Sequence, residues 1–145
     1  MSVASPTVSP PLRLLTPTQW QWIGAGYLMT FSSMPGQTIF IAQFNTALRD
    51  TFGLSHGAFG LIYTAATLAS SFVLVFAGGL ADRYAPKPLA LVCLCGLAVM
   101  ALAMSLINSV FLLVPIIFGL RFFGQGMMGH IAMTTMSRWF YRFRG

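Results

Sequence analysis

Glutamate is absent from this chain, and aspartate occurs only at Asp50 and Asp82. With eight Lys and Arg, the charged fraction reaches just 7%, against about a quarter in a soluble domain. Ten charges cannot dress the surface of a water-soluble globule. The same shortage excludes disorder for the bulk of the chain, because disorder needs much charge and few apolar residues. Cysteine is nearly absent too. Cys93 and Cys95 are one residue apart inside an apolar run, which suits neither a disulfide framework nor a zinc site. No metal and no cofactor is implied. The acid deficit leaves a formal charge of +6. The bases stand at the ends of apolar stretches and form no patch, so they do not indicate nucleic acid as a partner.

What is present is apolar. Hydrophobic residues make up 57%, and the mean hydropathy is +0.78. Residues 1–18 carry four of the eight prolines and read as a disordered tail. They lack the basic stretch and apolar core of a secretory signal. Residues 19–145 hold four apolar segments, near 20–44, 56–80, 88–107 and 110–136. Each approaches or exceeds the roughly 20 residues that cross a bilayer as a helix, and none shows the alternation of barrel strands. The expectation is an all-α membrane protein with four transmembrane helices. The first is interrupted at Met34-Pro35-Gly36-Gln37, where Pro removes a helical hydrogen bond. Ser55 is a candidate cap for the second, and Pro88 suits the first turn of the third.

Basic residues set the expected orientation. With a cytoplasmic N-terminus, the inner side receives Arg13, Arg83, Lys87, Arg138, Arg142 and Arg144, and the outer side only Arg49. Trp20, Trp22, Tyr84, Trp139 and Tyr141 fall at the inner boundary as interfacial anchors. This predicts an integral protein of the cell (inner) membrane, with the lipid bilayer as its solvent.

Three stretches concentrate chemistry. The loop after the second span reads G-G-L-A-D-R-Y-A-P-K, from Gly78 to Lys87. Asp82 and Arg83 have three options there: to pair locally, to cap the next helix, or to meet a helix end elsewhere. In the fourth span, R-F-F-G-Q-G runs from Arg121 to Gly126. Arg121 lies about 16 Å along that helix, near mid-membrane. An Arg at that depth costs about 2.5–3.5 kcal/mol on insertion scales. It is either satisfied by backbone carbonyls and packing or, as expected here, faces the interior as an anion or proton-linked site. Gln125 follows one turn on, on the same face. The chain closes with R-W-F-Y-R-F-R-G, Arg138 to Gly145.

These stretches resemble the major facilitator superfamily of transporters. The loop is similar to its G-x-L-A-D-R-x-G-R-K signature at Gly78, Leu80, Ala81, Asp82, Arg83 and Lys87. It departs at Ala85 and Pro86. The resemblance implies that Gly78, Asp82, Arg83 and Lys87 form a conformational-switch loop that latches two six-helix halves. Arg121 and Gln125 resemble the family's R-x-x-x-Q-G pattern, which is often paired with an acid in span one. Span one here has no acid, so these residues do not support proton coupling through that pair. The final stretch looks like the exit of span four in monocarboxylate and oxalate/formate carriers. The resemblance implies secondary transport of a small-molecule substrate, an organic anion such as a monocarboxylate, with a co-transported ion in some members. It also implies that these helices begin a six-helix N-terminal bundle and that further C-terminal helices of the same chain complete the site. The segment alone is expected to be inactive, and not an enzyme.

Polar stripes point to a cavity. Tyr27, Thr30, Ser33 and Gln37 recur on one face of span one, and His56, Gly60, Tyr63, Thr67 and Ser70 on one face of span two. Tyr27, Ser33, Gln37, Tyr63 and Thr67 are the expected substrate-lining set beside Arg121 and Gln125. On α-helical phase, His130 falls about 180° from Arg121, and it is read as an interhelical packing residue. The competing reading is a stand-alone four-helix membrane protein. A small efflux pump of that kind relies on a membrane Glu, a thiol oxidoreductase on loop cysteine pairs, and an assembly subunit would not require Arg121.

Overall fold

The computed structural model describes residues 16–140. The expected tail up to residue 15, Arg13 with it, and Tyr141, Arg142 and Arg144 lie outside the described residues. Within them the chain is helical throughout, with no strand.

The first helix, α1, spans Pro17–Ser32 and starts earlier than the sequence suggested. Thr16 accepts from the Gln19 backbone at 3.3 Å, and the Gln19 side chain accepts from the Thr16 backbone at 2.8 Å. This reciprocal cap, with Pro17 in the first position, nucleates the helix before Trp20. A short 3-10 turn, Met34–Gly36, then breaks it. Gln37 is extended (ψ 147°), so α2, Thr38–Gln43, restarts with its own rotational phase. The amphipathic α3, Asn45–Phe52, ends at Gly53, which adopts the left-handed φ of 61° that a side chain disfavours.

The long α4, His56–Ala77, begins on the Ser55 side chain, which accepts from Ala58 at 3.1 Å. The single turn α5, Leu80–Arg83, follows Gly78 and Gly79. Next, α6 runs Pro86–Ser105, so it is Pro86 that opens it and Pro88 lies inside its first turn. Beyond the 3-10 turn Val110–Leu112 come α7, Leu113–Leu120, a π-helical segment, Arg121–Met128, and α8, Gly129–Trp139. Three of these stretches are long and apolar enough to cross a membrane: His56–Arg83, Pro86–Ser105 and Val110–Trp139. Residues 17–43 approach that length only in pieces.

The last stretch is the hub. Its first half packs α7 against α4 and α3 through Leu48, Phe59, Ala66, Leu113 and Ile117. The middle joins Ile41, Leu97, Ile116 and Leu120, and the far end joins Ala81, Cys93, Met127, Met128 and Ile131. Trp22 of α1 stacks on Trp139 of α8, with ring centroids 5.8 Å apart. Much of the outer surface is large apolar side chains, including Leu61, Phe72, Val75 and Phe111, each at least two-thirds exposed. Water does not tolerate a continuous apolar surface of that kind, whereas lipid requires it. The chain is an all-α membrane protein.

At the level of the span-one break, backbone meets backbone. A Cβ on Gly124 would stand 2.6 Å from the Gly36 Cα and 3.0 Å from the Ser33 carbonyl oxygen. No side chain fits at either glycine without parting the 3-10 turn from the π segment.

Candidate functional site

The π segment begins at Arg121, which is half-buried. Its Nη1 donates to Thr38 Oγ1 at 2.7 Å and to Gln125 Oε1. Tyr63 donates to the same Thr38 oxygen at 3.0 Å, and its ring lies 5.4 Å from the Arg121 guanidinium carbon. Every one of these partners is neutral. Both acids of the chain lie in other segments, Asp50 on α3 and Asp82 on α5. A guanidinium carries five N–H donors. The pair on Nη1 is engaged, and the Nε and Nη2 groups have no partner among the described residues. Beside them lies a cavity of about 210 Å³ lined by Ser70, Ser71, Leu74, Arg121, Gln125 and Gly126.

The structure brings Arg121, Gln125 and Tyr63 together and adds Thr38. The first turn of α2 delivers Thr38 because the extended Gln37 resets the phase of span one. Gln37 itself donates to Ser33 at 3.2 Å, and the Ser33 hydroxyl donates to the Thr30 carbonyl at 2.6 Å. Ser33 is fully buried against the Gly124 crossing. Thr67 has a buried hydroxyl oxygen with no partner. Tyr27 stands apart. It is 68% exposed and stacks on Phe31, one turn along the same outer face.

The expected opposition of Arg121 and His130 is not observed. Each π turn takes up more than an α turn's worth of residues, so eight residues of it swing α8 round. His130 lines a cavity of about 430 Å³ with Gly78 and Asp82, and that cavity shares Ser71 and Leu74 with the one beside Arg121. One seam between α4 and the hub thus carries both.

At the end of α8, the loop acid takes the third of its options. Asp82 Oδ1 pairs with Arg138 Nη2 at 3.1 Å, and the same nitrogen donates to the Asp82 carbonyl at 3.0 Å. The pair ties α5 to the end of α8. Arg83 and Lys87 are exposed and form no ion pair among the described residues. The sequence had singled out Arg138 as one of the orienting bases and as part of the closing stretch, whose residues 141–145 lie outside the described residues, and not as a partner of Asp82.

No curated protein and no solved structure matches the chain significantly. The family model of the Major Facilitator Superfamily matches residues 26–145, a range that takes in the span-one break, the Asp82 loop and the Arg121 segment. On that match, spanning most of its length, the chain belongs to the Major Facilitator Superfamily and serves membrane transport of a solute.

Proposed function

We propose that these helices are the opening part of the N-terminal six-helix bundle of a secondary transporter, inserted in the inner membrane with its N-terminus cytoplasmic. It moves a small organic anion by alternating access. Further helices of the fold complete the site. The carrying observation is the Arg121 guanidinium, held by three neutral side chains and left with a free donor edge on a cavity. A cation in a low-dielectric interior seeks a counter-charge. A planar guanidinium offers a carboxylate two parallel donors. The volume beside it suits a solute of a few heavy atoms. Asp82, Arg138 and the Gly78–Lys87 loop supply the switch, since the exposed Asp82–Arg138 pair is the polar tie between α5 and α8, beside the packing of Ala81 with Ile131. Span one carries no acid, so an Arg–acid proton relay is not part of the proposal. The monocarboxylate branch, suggested by the closing stretch, gains no support from the family match. The anion class rests on Arg121.

The test is uptake of radiolabelled lactate and oxalate by the whole protein in proteoliposomes. Arg121→Ala is expected to lower uptake about 30-fold or more, the loss typical of truncating a buried charge contact, with membrane insertion intact. Arg121→Lys is expected not to restore it, because an ammonium lacks the fork. Undiminished anion uptake by Arg121→Ala overturns the assignment.

A further inference from the structure

At the outer corner, where α2 passes into α3 and α3 into α4, two buried polar atoms stand without a hydrogen-bond partner: Asn45 Oδ1 and Arg49 Nε. Positions 45 and 49 are one turn apart and share a face of α3. Leaving such an atom unpaired is costly, the more so on a charged group. Asn45 lines a cavity of about 210 Å³ together with Thr38, His56, Gly60 and Tyr63. Thr38 and Tyr63 are the side chains that hold Arg121. This cavity therefore abuts the Arg121 cluster from the start of α4, while the Ser70–Ser71 cavity abuts it from further along the same helix. The remaining unpartnered buried side-chain atom among the described residues is Thr67 Oγ1, one turn beyond Tyr63.

The corner's chemistry favours an anion. His56 brings an imidazole to the lining, and Arg49, outside the lining but one turn from Asn45 on α3, brings a permanent positive charge with an unused N–H. The Asn45 amide can present its NH₂ as readily as its oxygen, since the two orientations are interchangeable. Asp50 opposes this field. It is exposed and follows Arg49 by one position, which turns it about 100° away round the helix.

We propose that this corner is a second anion site, which recruits a small carboxylate before it reaches Arg121. The order of the two sites rests on the Arg121 reading; the corner's own preference for anions does not. The experiment places a cysteine in the cavity, Asn45→Cys, in the whole protein with its native cysteines replaced by alanine. The thiol is modified in detergent with the anionic sulfonatoethyl and the cationic trimethylammonioethyl methanethiosulfonates, and the ratio of rates is compared with that of a free thiol. The anionic reagent is expected to gain about tenfold, as a focused positive field does for on-rates. Arg49→Gln is expected to return the ratio to the free-thiol value. His56→Cys repeats the measurement from the opposite wall should Asn45→Cys disturb α3.

A free-thiol ratio at both positions, or one indifferent to Arg49→Gln, overturns the second site. With Arg121→Ala the ratio at position 45 is expected to persist. A ratio that follows Arg121 and not Arg49 overturns the corner while leaving the Arg121 site standing. Unchanged uptake by Arg121→Ala beside an intact labelling ratio overturns the Arg121 assignment and leaves the corner standing.

Discussion

Arg121 and Arg138 stand on the same long span, and their surroundings could hardly differ more. Arg138 is exposed near the end of α8 and has a carboxylate at 3.1 Å. Arg121 is half-buried in the middle and has Thr38, Gln125 and the Tyr63 ring. Water alone would keep the first content, yet it has a counter-ion. The second needs one and has none among the described residues. A paired arginine closes a structure, here by fastening α5 to α8. An unpaired one with donors to spare is, on the proposed reading, where the solute anion docks.

The contrast can be abolished by giving Arg121 its own carboxylate. Gln125→Glu puts an acid where Nη1 already finds an oxygen. Anion uptake is expected to fall about 30-fold or more, with the yield of folded protein unchanged. Retained uptake would mean that the guanidinium's charge is not what the solute meets. A smaller effect is expected from Thr38→Val, which keeps the shape but removes the oxygen shared by Arg121 and Tyr63. Losing a hydrogen bond to a charged group is worth about 1.5 kcal/mol or more, so KM for the anion is expected to rise about tenfold with little change in kcat. Thr38→Ser should restore it.

The smallest effect belongs to the other arginine. Asp82→Asn makes Arg138 resemble Arg121 by removing its partner. An exposed pair contributes about 0.2–1 kcal/mol, so turnover should fall only about two- to fivefold and KM should hold. Arg138→Gln should match it, and the double variant should be no worse than either, because both remove one interaction. Additive losses would show that Asp82 and Arg138 act separately.

Composition made the membrane environment legible, since ten charges leave no other solvent. The break in span one was legible in Pro35-Gly36, whose effect on a helix is local. The pairing of Arg121 with Gln125 followed from four-residue spacing. The start of α1 was also written in Thr16 and Gln19, a cap signature three residues apart, although the prolines around it suggested a longer tail.

Other features were not legible, for physical reasons. The π segment has no local signature; it forms where Gly124 is pressed onto Gly36, a contact between residues far apart in the chain. Every rotational inference drawn past it, His130 above all, inherited the wrong phase. Thr38 was hidden by the same kind of slip, because the extended Gln37 starts a new helix whose faces the stripe through Thr30 and Ser33 does not predict. Tyr27 sits on that stripe by count, yet its ring stacks outward on Phe31. Asp82 offered three partners by sequence, and only the return of α8 to the same end of the bundle selects Arg138.

The contact between Gly36 and Gly124 carries one more consequence. With no side chain between them, the two backbones touch directly. Thr38 follows Gly36 by two residues and holds Arg121, which precedes Gly124 by three. A methyl group added at either glycine would therefore wedge apart the two segments that carry this hydrogen bond, far from the Trp22–Trp139 stack.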